Sequence, residues 1–204
     1  MSNMITSVEQ LEAIYGKPNE RSIWKEIGFL NEDYQAFVRA SPLVVLSSVG
    51  EEGTDCSPKG DVAGFVKILD ERTLAVPDRP GNNRIDNLRN ILADPRVSLL
   101  FFIPGVDETL RVNGRAEISV APELLAAFEA NGKLPRTVIV IKVEAAYFHC
   151  SKALVRSRLW DVEKHIERSS LPSAGAMLKR LSQGTFDATT YDRELPERVK
   201  ASLY

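Results

Sequence analysis

The sequence predicts a mainly β chain of the α+β class, with six or seven strands gathered in one domain between helical flanks. Three observations carry this. Runs of strand length, apolar or alternating, recur between residues 43 and 150 with turn residues between them. Helical spacing of apolar residues is confined to the two ends and to two short inserts. The chain has 204 residues, enough for one domain with a real core.

The N-terminal flank opens on Ser7-Val8-Glu9-Gln10, which fits a capping box, and Val8, Leu11, Ile14 and Tyr15 form an apolar helical face ended by Gly16. In the mixed stretch 17–30, Trp24 and Phe29 are expected to pack onto the body. Asn31 caps a second helix with Tyr34, Phe37 and Val38 facing inward, and Ser41-Pro42 breaks it.

The first strand is Leu43–Val49, and Gly50-Glu51-Glu52-Gly53 signals a hairpin. The next, Thr54–Gly60, is unusually polar, and Pro58 within it marks an edge or a bulge. Phe65–Leu69 follows, and Asp70-Glu71-Arg72 turns the chain into Thr73–Val76, which Pro77 stops. The loop Asp78–Arg84 then precedes a helix capped by Asn82 or Asn83, with Ile85, Leu88, Ile91 and Leu92 at helical spacing.

Pro95 ends that helix, and Val97–Ile103 is an almost unbroken apolar strand. From Thr109 the pattern alternates, with Leu110, Val112, Ala116 and Ile118 on one face and Thr109, Arg111, Asn113, Arg115 and Glu117 on the other. Pro122 opens a helix that buries Leu124, Leu125 and Phe128 and closes at Asn131-Gly132. Thr137–Cys150 is a long strand. Beyond it, residues 174–182 and 192–202 read as short amphipathic helices joined by polar chain.

Charge and composition exclude several classes. The net charge is −2 with both signs interspersed, so no basic stripe for nucleic acid or acidic lipid is present. No apolar run reaches the roughly 18 residues of a membrane span. The first residues lack the basic and apolar regions of a secretory signal. Cys56 and Cys150 are the only cysteines, too few for a disulfide framework and suited to a reducing cytoplasm. A cytoplasmic protein is expected.

The loop Asp78-Arg79-Pro80-Gly81-Asn82-Asn83-Arg84 is suited to an anion. Backbone N–H groups at a helix start point outward, the helix dipole favours negative charge, and Arg84 with Arg79 adds full cations. The bland alternative is a solvated turn. His149 and Cys150 are adjacent on a strand and face opposite ways, so they do not chelate together. No His-x-x-x-His or Cys-x-x-Cys spacing occurs and no metal site is expected. Nothing orients His149 as a base for Cys56. Gly-x-Gly-x-x-Gly is absent, which argues against a Rossmann dinucleotide domain.

The order of strand, loop ending Asn82-Asn83-Arg84, Asn87-Leu88, Asp94-Pro95-Arg96-Val97, apolar strand and Arg111-Val112-Asn113-Gly114-Arg115-Ala116 resembles the pyridoxamine 5′-phosphate oxidase-like flavoproteins over Ser41 to Val120. The usual loop of that family carries Ser-Arg-Lys, then Asn-Leu, then Asn-Pro-Arg-Val; here an amide replaces one of its two cations. The resemblance implies a split β-barrel that binds FMN at a homodimer interface, with a small-molecule substrate or electron donor. It divides the chain into a helical extension (1–40), a flavin-binding barrel (41–150) and a C-terminal helical segment (151–204) covering the dimer and flavin site.

The same resemblance implies roles for residues. Ser57, Pro58 and Lys59 lie on the strand that follows the flavin, with Lys59 at the phosphate or near the ring, where a cation stabilises reduced flavin. Asp78, Asn82, Asn83 and Arg84 form the phosphate loop. Thr109 and Arg111 match a position that hydrogen-bonds the flavin. Arg156, Ser157 and Trp160 fall in a segment that crosses to the partner's flavin, with core packing of Trp160 as the alternative. No residue is marked as an acid–base catalyst.

Activity stays open between an FMN-dependent oxidoreductase and a non-catalytic flavin carrier, redox sensor, or haem- or deazaflavin-binding relative. True pyridoxamine 5′-phosphate oxidases end in an Arg-x-His-type motif. This chain ends PERVKASLY, and that activity is not expected of it.

Overall fold

Alternating burial sets the inward face of β1 (Leu43–Gly50), β5 (Arg96–Phe102) and most of β6 (Thr109–Ser119), whereas β4 (Thr73–Asp78) is buried along nearly its whole length. Val44 and Leu46 of β1, Leu99 and Phe101 of β5, and Leu110 and Val112 of β6 are wholly buried, while their neighbours Val45, Leu100 and Arg111 are only partly covered. Leu74 and Val76 of β4 and Ile139 and Ile141 of β7 (Thr137–His149) complete the core. Each such side chain contributes about 1.5–3 kcal/mol on full burial, so this ring of apolar residues dominates the stability of the fold.

The computed structural model describes residues 3–203. Its strands form one seven-stranded antiparallel sheet in the order β2-β1-β5-β6-β7-β4-β3, where β2 is Gly53–Gly60 and β3 is Lys67–Asp70. Although β2 and β4 are far apart in that order, Lys59 of β2 meets Asp78 of β4. The sheet therefore curls on itself and leaves a seam between these strands, a split β-barrel. The β1–β2 hairpin closes at Gly50 and Gly53 as the turn signal predicts.

Two glycines permit close approaches. A Cβ on Gly114 would sit 2.1 Å from the Lys142 carbonyl oxygen, at the bulge where the β6–β7 register shifts. A Cβ on Gly50 would come within 2.2 Å of Asn90 Oδ1. That approach lets the helix Asp86–Ala93 (α4) dock on β1, where Ser48 Oγ accepts from Asn87 Nδ2 at 2.8 Å and Asn90 Nδ2 at 3.1 Å.

The flanks match expectation in placement but not always in packing. Helix α1 (Val8–Tyr15) starts at Ser7, whose hydroxyl accepts from Gln10 N; Gln10 Oε1 in turn accepts from Thr6 N. Its apolar face is not buried, and Trp24, at the end of α2 (Glu20–Trp24), is 68% exposed rather than packed on the body. Helix α3 (Glu32–Ala40) is capped by Asn31 and buries Tyr34 and Val38.

The expected cap of α4 is also corrected. Neither Asn82 nor Asn83 caps it; Ile85 stands at the start and no side chain bonds the free amides. Asn82 Oδ1 accepts from Arg84 N at 2.9 Å, closing a turn inside the loop, and Asn83 has φ 61°. The buried face of α4 is Asn87 and Ile91, while Leu92 is 79% exposed and Ile85 is exposed. Ser48 supplies the polar partner that lets the amide of Asn87 be buried.

Pro122–Ala126 forms α5, with Phe128 buried beyond its end. After β7 come α6 (Lys152–Ser157), α7 (Ala174–Leu181) and α8 (Ala188–Ser202). The last two pair through Asp192, which accepts from Gly175 N at 2.8 Å and Ser173 Oγ at 2.5 Å. Helix α8 begins four residues earlier than its apolar pattern indicates, because Asp187 caps it through Thr190 N. Among the described residues, no helix is long and apolar enough to cross a membrane.

Candidate functional site

The seam of the barrel opens into a cleft of about 730 Å³, within the size range of small-molecule and cofactor sites. One wall is the end of β2, Ser57 to Gly60; the opposite wall is the end of β4, Pro77 and Asp78; the loop from Arg79 to Ile85 forms the rim. Pro77 and Pro58 shape these walls because neither offers an N–H to a neighbouring strand. Arg136 and Thr137, at the start of β7, close the far side.

Cations ring this cleft, and most are already paired. Lys59 Nζ lies 2.5 Å from Asp78 Oδ1, with side chains 22% and 17% exposed. Arg79 donates through Nε and Nη2 to Asp61 Oδ2 at 3.0 and 2.9 Å, and through Nη1 to the Phe128 carbonyl at 2.7 Å. Arg84 reaches Asp86 Oδ2 at 2.9 Å while remaining 76% exposed. Arg136 differs: its Nη1 donates to the amide oxygen of Asn83 at 2.7 Å, and no carboxylate among the described residues pairs with it.

Register explains how residues distant in sequence meet. Asp78 stands opposite Thr137 in the β4–β7 ladder, and Arg136 N donates to the Asp78 carbonyl at 3.1 Å. Opposed residues of an antiparallel pair share a face, so Thr137 points to the side on which Asp78 holds Lys59. The Thr137 hydroxyl oxygen is buried and has no hydrogen-bond partner. A buried polar atom without a partner is costly, and its position on the wall of a polar cleft suits a ligand acceptor or donor.

Ser57, Pro58, Lys59, Asp78, Asn82, Asn83 and Arg84, expected as site residues, are thus brought together around one cleft. Thr109, Arg111, Arg156, Ser157 and Trp160 are not. Thr109 is buried and faces His149 across the β6–β7 ladder. Arg111 stacks on Tyr147, 4.0 Å from its ring centre, with a buried Nε that lacks a partner. His149, 4.7 Å from the Tyr147 ring, is held below its usual pKa by burial and then by the charges of Arg111 and Lys25. Arg156 and Ser157 are exposed on α6, where Ser157 Oγ donates to the Leu154 carbonyl at 3.0 Å. Trp160 is half-buried and donates from Nε1 to the Val106 carbonyl at 2.9 Å.

Sequence reasoning did not single out Arg136, Thr137 or Asp61. Arg136 is 53 positions from the Asn83 it bonds, and no local motif marks it. The only signal was a cation beside a threonine where a strand begins, which is unremarkable in isolation.

The family profile described as pyridoxamine 5′-phosphate oxidase matches residues 30–150, from the end of the N-terminal flank through β7. No curated protein matches the chain. Similar solved structures include HupZ from Group A Streptococcus, at 20% identity and a TM-score of 0.46, covering 57% of this chain and 90% of that one. General Stress Protein 26 from Bacillus anthracis str. Sterne is 17% identical with a TM-score of 0.44, covering 56% of this chain and 88% of that one. An FMN-binding protein from Syntrophomonas wolfei subsp. wolfei is 13% identical with a TM-score of 0.43, covering 69% of this chain and 97% of that one. With the profile spanning the whole barrel and the cleft at its seam, the chain belongs to the pyridoxamine 5′-phosphate oxidase-like family.

Proposed function

We propose that this chain binds FMN in the seam cleft and acts as an oxidoreductase on a small molecule. The observation that carries the reading is the cleft itself: cationic side chains from β2, the rim loop and β7 converge beside an unpartnered buried hydroxyl. That donor set fits a phosphate monoester on a larger ligand, and membership of the family points to flavin. When bound, the flavin supplies the hydride or electron chemistry. The residues bind and orient: Ser57 and the rim amides offer hydrogen bonds, Lys59 and Arg84 add charge, and Pro58 with Phe65 gives an apolar surface.

The reading includes a homodimer. Leu43, Val45, Leu100 and Phe102 form adjacent pairs on the outward face of β1 and β5, and all are incompletely covered in the single chain. Thr109, Arg111 and Tyr147 continue this face onto β6 and β7. A second copy seated there would cover the apolar patch and bring Arg156, Ser157 and Trp160 of one chain toward the cleft of the other.

Titrating the purified protein with FMN, following the visible spectrum and flavin fluorescence, tests the proposal. Saturable one-to-one binding per chain, with reduction of the bound flavin by NAD(P)H and turnover of an acceptor, is the expected result. Bound flavin that no donor reduces would leave a carrier or sensor. A Soret band with no affinity for FMN would overturn the reading in favour of haem. Sedimentation giving a monomer at every concentration, flavin bound, would remove the dimer.

A further inference from the structure

We infer that Arg136 and Thr137, at the start of β7, form the anchoring subsite for a phosphoryl group in the seam cleft. This rests on the cleft reading above but assigns the anion to residues outside the rim loop. Three of the four lining cations already face carboxylates: Lys59 faces Asp78, Arg79 faces Asp61, and Arg84 faces Asp86. An arriving anion must compete with a carboxylate at each of them. Arg136 alone among these four is held by a neutral amide, Asn83 Oδ1 at 2.7 Å, so its full charge is available to a ligand.

The second observation is independent of charge. Thr137 Oγ1, the next side chain, is buried with no hydrogen-bond partner, on the wall of the same cleft. Its neighbours explain the arrangement. Pairing with Asp78 fixes the backbone of Thr137, Arg136 N bonds the Asp78 carbonyl at 3.1 Å, and Asn83, at φ 61°, bends the rim loop back to reach the guanidinium. A phosphoryl oxygen accepting from Thr137 Oγ1 satisfies the orphaned hydroxyl, while Arg136 supplies charge-assisted N–H bonds. Asn83 positions Arg136 and itself need not touch the ligand.

The test uses full-length protein and the variants Arg136→Gln, Thr137→Val and, for comparison, Arg84→Gln. Two probes are followed: inorganic phosphate against chloride at equal ionic strength, read as a melting shift, and FMN against riboflavin, read by fluorescence titration. For the wild type we expect stabilisation by phosphate and tighter binding of FMN than of riboflavin. Arg136→Gln should cut FMN affinity by about 10- to 100-fold and Thr137→Val by about 5- to 10-fold, with riboflavin nearly unchanged. Both should lose the phosphate shift. Arg84→Gln should change FMN affinity less than either.

If FMN binds tightly and both β7 variants keep the wild-type FMN-to-riboflavin ratio and phosphate shift, the subsite is elsewhere and the flavin reading stands. If wild type ignores FMN yet gains stability from phosphate in an Arg136-dependent manner, the flavin reading fails and the subsite stands. Absence of any response to either probe overturns both. Circular dichroism spectra matching wild type establish that the variants are folded.

Discussion

The ion pair across the seam makes one substitution informative in two opposite directions. Replacing Asp78 by Asn keeps shape and hydrogen-bonding capacity but removes the charge that holds Lys59 at 2.5 Å. A hydrogen bond to a charged group contributes about 1.5–3 kcal/mol when well shielded, whereas an exposed pair contributes about 0–1 kcal/mol. At 22% and 17% exposure this pair lies between those limits, so Asp78→Asn should cost about 1–2 kcal/mol. For a chain of this size that lowers the melting temperature by about 2–8 °C.

Anion binding should move the other way. Two unit charges about 6 Å apart interact by roughly 3 kcal/mol at an effective dielectric of about 20. Solvent in an open cleft screens part of that, leaving about 1.4 kcal/mol, or a tenfold gain in FMN affinity once the carboxylate is gone and Lys59 is released. Urea denaturation and fluorescence titration on the same preparation read both quantities. A double cycle with Lys59→Met isolates the coupling between the two side chains. If Asp78→Asn weakens FMN binding while lowering stability, Asp78 is a direct ligand of the flavin and the account of it as a restraint on Lys59 is refuted.

Arg84→Ala should weaken FMN binding without changing the urea midpoint, since Arg84 is exposed and pairs only with its near neighbour Asp86. Arg72→Ala should do the reverse and cost about 1 kcal/mol, because Arg72 Nη1 donates to the Gly28 carbonyl at 2.8 Å and lies over the Phe29 ring; equal flavin retention with equal stability in both would contradict this. His149 has a folded pKa below its ordinary value, so its neutral form contributes stability that is fully present above the unfolded pKa of about 6.5 and lost as pH falls through the folded value. Stability of the wild type measured relative to His149→Gln should therefore decline below about pH 6.5, and a flat difference down to acid would remove the assignment. Trp160→Leu loses the bond to the Val106 carbonyl and should cost about 1–3 kcal/mol; if Trp160 also covers a partner's flavin, bound-flavin fluorescence should rise in the same variant, and an unchanged spectrum would restrict it to packing.

Much of the architecture was written locally. The strands between Leu43 and His149 follow from apolar or alternating runs of strand length set between turn residues, the hairpin from Gly50 and Gly53, and the helix starts at Ser7 and Asn31 from hydroxyl and amide caps. These signals involve residues within a few positions of each other, so the sequence determines them without knowledge of the fold. The order of motifs from the rim loop to Arg111 identifies the family for a related reason: spacing along one segment survives when its individual residues drift.

The tertiary structure decided what depends on register and on partners brought from afar. Asn82 looks like a helix cap, yet it closes its own loop, because α4 is placed by Ser48 and by the missing side chain at Gly50 rather than by its first turn. Trp24 and the apolar face of α1 have the composition of a core but find no surface within the single chain. The cleft could be read only in part, through Ser57, Pro58, Lys59, Asp78, Asn82, Asn83 and Arg84. Arg136 and Thr137 enter it because the sheet curls and because β4 pairs with β7 at one particular register, and a shift of one residue would turn Thr137 to the opposite face. Which cation remains without a carboxylate is likewise a property of three-dimensional pairing: charge is encoded residue by residue, but its neutralisation is settled only by distance.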